Sequence, residues 1–281
     1  KLNFIFKKTK KIYLIESKKD QEFVIDSLED EKYIALDTEF SWRKTYFPKL
    51  ALLQISSESR ILLIDCLKFK ELNFLKKILE KKDKVVVMHS SRSDTTVLST
   101  SLNIRLENTF DIQIAEKYIK DGEIKNYGDI VFDYLGYKLD KSETNSNWLN
   151  RPLSNDQLEY AANDVNFLIH ICKIQKKKLK KINKEKEVIF ESVKDSRLGN
   201  QELHVSRLKK LKKASKEEKK IFLWREKQAS LKNIPTAYIF KDKFLKEIVR
   251  AAKNKKISFE EISKLFSDHS SANDFVEYLK Q

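Results

Sequence analysis

Apolar and polar positions divide the chain into a strand-rich first third, a helical middle and a helical end. Residues 11–16 (Lys-Ile-Tyr-Leu-Ile-Glu) predict a short strand, and residues 20–28, with Phe23, Val24 and Leu28 in register, predict a helix. Residues 33–40 form a β-favouring run that ends on Asp37-Thr38-Glu39. Residues 51–56 and 60–65 predict two strands close enough for a hairpin through Ser57-Glu58-Ser59. Residues 73–79 predict a helix, and the Val-rich residues 84–88 a strand suited to burial on both faces. From Ser93 helical spacing takes over, at residues 93–100, 111–119 and 126–135. Ser154 is a natural N-cap for one long helix from residue 155 to about residue 180. A small mixed sheet under a helical layer follows, an α/β or α+β domain.

Composition changes the picture after Asp164. The chain carries a net charge of +15, and about +11 of it falls in residues 173–220, where apolar positions such as Val188, Phe190, Val193 and Leu198 are sparse. Such a run is either a solvated connector or a basic frame beside a polyanion. Helical periodicity then resumes at Ile221, Phe222 and Trp224, again at Phe244, Leu245, Ile248 and Val249, and last at Phe275, Val276 and Leu279. Four or five short helices there make a small all-α domain, near the lower size limit for independent folding. The expected division is therefore residues 1–180, a basic helical linker at 181–214, and a helical domain at 215–281.

Several function classes drop out. Four glycines in 281 residues, with no Gly-rich phosphate loop, exclude a nucleotide-hydrolysing motor. Two distant cysteines, Cys66 and Cys172, sit in apolar runs and form no zinc pattern, so buried free thiols in a reducing, cytoplasmic compartment are expected. No apolar run reaches the roughly 18 residues that span a bilayer, so no membrane partner is expected.

Chemistry concentrates on acids. Strand side chains alternate faces, so Asp37 and Glu39 point the same way, about 7 Å apart along the strand. Either both face water at an open strand end, or they form half of a site for a hard divalent cation. Asp94 lies just inside the helix after His89-Ser90-Ser91, where it turns back over the sheet edge. Tyr160 and Asp164 are four apart and share one helical face with Leu153, Gln157, Phe167 and Leu168 nearby. A carboxylate that faces inward is rare unless it is paired or metal-bound. Residues 139–153 mix bases, hydroxyls and Trp148 in what reads as an exposed loop, able to contact phosphate and stack on a base.

Taken together, Asp37-Thr38-Glu39-Phe40, Thr45-Tyr46-Phe47-Pro48-Lys49-Leu50 with Leu53-Gln54-Ile55, His89-x4-Asp94, residues 140–153, and Tyr160-Ala161-Ala162-x-Asp164-Val165 resemble ribonuclease D in order and spacing. The resemblance covers about residues 10–180 and is to the tyrosine (DEDDy) variant of the four-carboxylate 3′-5′ exonucleases. Glu159 stands where the histidine variant has its His. The end of the chain, with Leu223-Trp224-Arg225-Glu226 and Asn233-Ile234-Pro235, is similar to the helicase-and-RNase-D C-terminal (HRDC) module. The resemblance implies an RNase H-like mixed sheet flanked by helices, the DnaQ-like exonuclease fold, followed by one small HRDC domain, whereas the best-known members carry two.

It further implies two divalent ions, Mg²⁺ or Mn²⁺, as the only cofactors. Asp37 would bridge both, Glu39 and Asp164 would complete the water-activating site, Asp94 would serve the leaving-group site, and Tyr160 would orient the attacking water. Thr38, Phe40, Thr45, Tyr46, His89, Lys141, Trp148 and Arg151 are the expected substrate contacts, although Phe40 reads equally well as a core residue, a lone His at a strand end such as His89 is more often structural, and Arg151-Pro152 reads also as an organiser of the following helix. The implied partner is RNA with a single-stranded 3′ end, precursor tRNA included, and the implied state a monomer. A DNA exonuclease and an inactive RNA-binding scaffold are the alternatives.

Overall fold

β-Branched and Leu-rich strands dominate the first part of the chain, and their alternation supplies a sheet with two apolar faces. A computed structural model describes residues 10–140, 142–253 and 258–280. The described chain divides into two units: the first runs up to Ser41 and again from Lys49 to Asn200, and the second takes Trp42–Pro48 and everything from Gln201 onward.

The first unit holds a six-stranded sheet of β1 (Lys11–Ile15), β2 (Tyr33–Ser41), β3 (Lys49–Ser56), β4 (Arg60–Asp65), β5 (Val85–Met88) and β6 (Thr109–Asp111), in the order β1-β4-β3-β2-β5-β6. The β2–β3 and β3–β4 pairs are antiparallel; β1–β4, β2–β5 and β5–β6 are parallel. On one face Ile34, Leu36, Leu53, Ile55, Leu62 and Ile64 pack with α1 (Gln21–Leu28), α2 (Asn73–Leu79) and the end of α3 (Arg92–Leu102). The other face, with Ala35, Leu52, Leu63 and Val87, is covered by α4 (Ile112–Ile119), α5 (Tyr127–Leu135), α6 (Asn155–Asn166), α7 (Leu168–Lys181) and α8 (Glu185–Gly199).

Caps explain several boundaries. Ser154 and Gln157 close a capping box on α6, Asp111 accepts from the Gln113 and Ile114 amides at the start of α4, and Gly136 ends α5 in the left-handed region at φ 68°. The buried Lys84 donates to the carbonyls of Leu28, Glu29 and Glu31, satisfying the end of α1 with one cation.

Two expectations need correction, and one strand was not foreseen. The helix foreseen from residue 155 to about 180 breaks at Phe167, with no Gly or Pro to mark it: α6 packs over β2, β3 and β4, whereas α7 follows β2, β5 and α4. The three-residue β6 is too short for alternation to reveal. The basic run is no separate linker at 181–214, since α8 packs on α3 and β6 and the units divide after Asn200.

The second unit comprises α9 (Leu203–Leu208), α10 (Lys216–Lys232), α11 (Leu245–Lys253), α12 (Phe259–Ser263) and α13 (His269–Lys280). Its core gathers Phe222, Trp224, Phe240, Phe266 and Phe275, with the Trp224 and Phe275 rings edge to face at 4.9 Å. Trp42 and Tyr46 pack into the same cluster.

Candidate active site

Three elements of the first unit bring the acids together. β2 presents Asp37 and Glu39 on its helix-covered face, and a register shift falls between Glu39 and Phe40, so that Ala51 on β3 is passed over. Such bulges turn a strand end and re-aim its side chains. α3 carries Asp94 in its first turn, and α6 carries Tyr160 and Asp164.

Charge couples the four carboxyls. Burial, then the charges of Asp94, Asp164 and Glu39, push the Asp37 carboxyl well above the usual carboxylate range. Burial together with Asp164 and Asp94 raises Glu39 to about 9, burial raises Asp94 to about 6, and burial plus Asp94 raises Asp164 to about 7. None of the four forms an ion pair among the described residues. Four clustered acids, partly or wholly withdrawn from water and with no countercharge among the described residues, are held at a free-energy cost that a cation would relieve.

Thr38 is buried, and its Oγ1 donates to Asp94 Oδ1 at 2.6 Å. The Tyr160 hydroxyl lies 3.3 Å from Thr144 Oγ1, and burial followed by the charge of Asp164 pushes it up to about 12. It stays protonated at neutral pH and is unsuited to act as a base.

The donor set fits a hard divalent ion, being all oxygen and anionic, with one carboxylate, Asp37, coupled to the other three. Among the described residues no three acids, imidazoles or thiols stand in a metal-holding arrangement, so the side chains would have to draw inward around an ion.

The expected substrate contacts fare unevenly. Phe40 is partly exposed at the end of β2. Thr38 faces Asp94 rather than an open groove. Trp148 is 4% exposed, packed in the core with its ring 5.9 Å from that of Tyr160, so it cannot stack on a base. Arg151 grips the buried Asp65 through Nε at 2.6 Å and a second nitrogen at 2.7 Å, and donates to the carbonyls of Trp148, Asn150 and Ala51. It fastens its loop to β3 and β4 and has little left for phosphate. His89 lies 3.3 Å from the Lys125 carbonyl and from Gln113 Nε2, which makes it a loop anchor. Tyr46 is 3% exposed in the second unit and donates to Glu226 at 2.9 Å; Thr45 bonds the Phe47 carbonyl at 2.6 Å. Lys141 lies outside the described residues.

Two residues near the acids escaped sequence reasoning. Burial, and after it the charges of Asp164 and Asp37, pushes up the Tyr127 hydroxyl, which donates to the Asn163 carbonyl at 3.0 Å. Nothing in its local sequence signals that role. Asp111 accepts from the Ser90 and Ser91 amides at 3.1 and 2.8 Å while capping α4. It thereby fixes the turn, with Ser90 at φ 56°, from which α3 and Asp94 start. Its position before a helix marks the cap, but not the long-range clamp.

A fold and a four-acid centre of this kind define a class, and residues 12–180 match the family model described as 3′-5′ exonuclease. The chain belongs to the 3′-5′ exonuclease family. Within it the likeness runs to ribonuclease D. The ribonuclease D of Desulfotalea psychrophila is 32% identical over 252 residues, covering 81% of this chain and 66% of that protein. That of Bartonella henselae is 32% identical over 244 residues, covering 84% of this chain and 60% of the relative. The chain thus spans slightly under two thirds of the length of these relatives. The crystal structure of Escherichia coli RNase D, described as an exoribonuclease involved in structured RNA processing, superposes with a TM-score of 0.84 at 22% identity, over 95% of this chain and 73% of that one.

Proposed function

We propose that this chain is a metal-dependent 3′-5′ exoribonuclease of the ribonuclease D type, cytoplasmic and monomeric, releasing 5′-mononucleotides from single-stranded 3′ ends. Precursor tRNA and other structured RNAs are its proposed substrates. The observation that carries the reading is the gathering of Asp94, which is buried, with the half-buried Asp37, Glu39 and Asp164, with no countercharge paired to them among the described residues. A pair of bound divalent ions would activate a water and neutralise charge on the attacking and leaving oxygens of the phosphodiester.

Asp37 is the proposed shared ligand, Glu39 and Asp164 the ligands on the water side, and Asp94 the ligand on the leaving-group side. Thr38 ties down one oxygen of Asp94 and so sets the direction of the other. Tyr160, protonated and half-buried on the face that carries Asp164, orients the water by hydrogen bonding. The helical unit is read as an HRDC module that holds the body of the RNA while its 3′ tail enters the acidic centre. The surplus of lysine suits that task, because phosphate contacts supply most sequence-independent affinity.

Asp37→Asn and Asp164→Asn test the assignment. Each is expected to reduce hydrolysis of a 3′-tailed RNA by orders of magnitude in Mg²⁺ or Mn²⁺ while RNA binding persists, and wild-type turnover in either variant would overturn it. Matched RNA and DNA oligomers in the same assay decide between the ribonuclease and a DNA exonuclease.

A further inference from the structure

Gln54 lies mid-strand in β3, paired with Asp37 of β2 on one side and Leu63 of β4 on the other. Strand alternation sends its side chain to the face that carries Ala35, Leu52 and Leu63, the same face as Asp37. It is wholly buried, yet neither Oε1 nor Nε2 has a hydrogen-bond partner among the described residues. A buried amide with both ends unmatched is costly, and an apolar side chain of similar size would fill the same space without that cost. Buried polar groups left unmatched in this way call for a physical reason.

The surroundings supply one. Over β2, β3 and β4 packs α6, whose Ala161 and Ala162 are small enough to let the helix come close and which carries Asp164. Gln54 therefore sits under the helix that brings one acid and beside the strand position that brings another. Directly opposed residues on neighbouring strands lie within about 5.5 Å at Cβ, inside the reach of a glutamine amide.

We propose that Gln54 is a positioning residue for Asp37: its Nε2–H group donates to the Asp37 carboxylate once divalent ions draw that carboxylate into place, and so fixes the direction in which its remaining lone pairs point. Carboxylate ligands are themselves commonly held by a hydrogen bond from an outer residue, and loss of such a partner typically lowers metal affinity 10–100-fold. The metal-free fold gains nothing from the amide; the ion-loaded site does. This rests on the reading of the four acids as ion ligands.

Gln54→Met and Gln54→Leu keep volume and remove the amide. Thermal unfolding of the full chain in EDTA and calorimetric titration with Mn²⁺ alone separate the possibilities. The expected result is a melting temperature in EDTA equal to or above wild type, with a Mn²⁺ dissociation constant raised 10–100-fold. A Mn²⁺ affinity within twofold of wild type would overturn the proposal and leave Gln54 a packing flaw. So would a lowered melting temperature in EDTA or failure of both variants to fold, because the amide would then already support the metal-free core. Absence of Mn²⁺ binding by the wild-type chain would instead refute the ion-site reading on which the proposal depends.

Discussion

Glu226, 1% exposed, accepts hydrogen bonds from the Tyr46 hydroxyl and from Arg207, both at 2.9 Å. The Arg207 guanidinium also lies over the Tyr46 ring, 4.7 Å from its centre. Burial followed by the charge of Glu226 pushes the Tyr46 hydroxyl above its ordinary range, so it remains a donor. Tyr46→Phe is expected to destabilise the protein by ~1.5–3 kcal/mol, the usual worth of a hydrogen bond to a charged group, in urea unfolding. Turnover per folded molecule on a short single-stranded RNA should not change, since the hydroxyl is used up in the core. A raised KM with unaltered stability would return Tyr46 to the substrate. At this scale the acids stood out in the sequence, but spacing alone left Asp37 and Glu39 open between solvent-facing acids and half of a metal site, and the resemblance supplied the ligand roles. The roles of Trp148, Arg151 and Tyr46 were not legible. Each depends on a partner elsewhere in the chain, Tyr160, Asp65 and Glu226 respectively, and no local pattern announces such a partner.

Among elements, α3 and α8 meet at one point where only glycine fits. A Cβ added to Gly199 would lie 2.5 Å from the Arg92 carbonyl oxygen and closer still to the Thr95 hydroxyl. Arg92 and Thr95 bracket Asp94 in the first turn of α3, and Arg92 forms an ion pair with Asp195 of α8. Gly199→Ala gains helix propensity but overpacks backbone against backbone, at a cost of ~1–3 kcal/mol. The expected outcome is a lower urea midpoint and a weaker response of the melting temperature to Mn²⁺, because the turn that carries Asp94 must shift. A variant as stable as wild type would show that α8 can slide along α3. Periodicity predicted most elements of the first unit within a few residues, including the helix at Asn73–Leu79. It failed at Phe167, where the packing of two helices on different strands, and no local residue, ends the helix. It failed again at α8, whose sparse apolar positions read as solvated although Val188 is fully buried.

At the scale of the whole molecule the surplus of +15 is the main electrostatic fact. Lys209, Lys210, Lys212 and Lys213 are all exposed, although Lys209 also donates to Gln201 at 2.7 Å. Replacing the four by Gln is expected to weaken RNA binding and to lower the slope of log affinity against log salt by up to about 0.7–0.9 for each phosphate no longer neutralised. Turnover at saturating RNA should stay near wild type. An unchanged slope in a filter-binding titration would make these lysines ordinary solvated surface.

The chain also leaves the first unit at Ser41 and returns at Lys49, with Trp42–Pro48 built into the second unit. Glu39 is thus three residues from Trp42, whose indole nitrogen donates to the Tyr46 carbonyl at 2.8 Å. Cutting after Asn200 would not excise a clean catalytic fragment. Tyr46 and Trp42 would lose Phe222, Arg207 and Glu226 and become sticky aromatic surface directly downstream of the strand that carries Asp37 and Glu39. A soluble minimal nuclease would need residues 42–48 redesigned as a polar loop as well as the later helices removed.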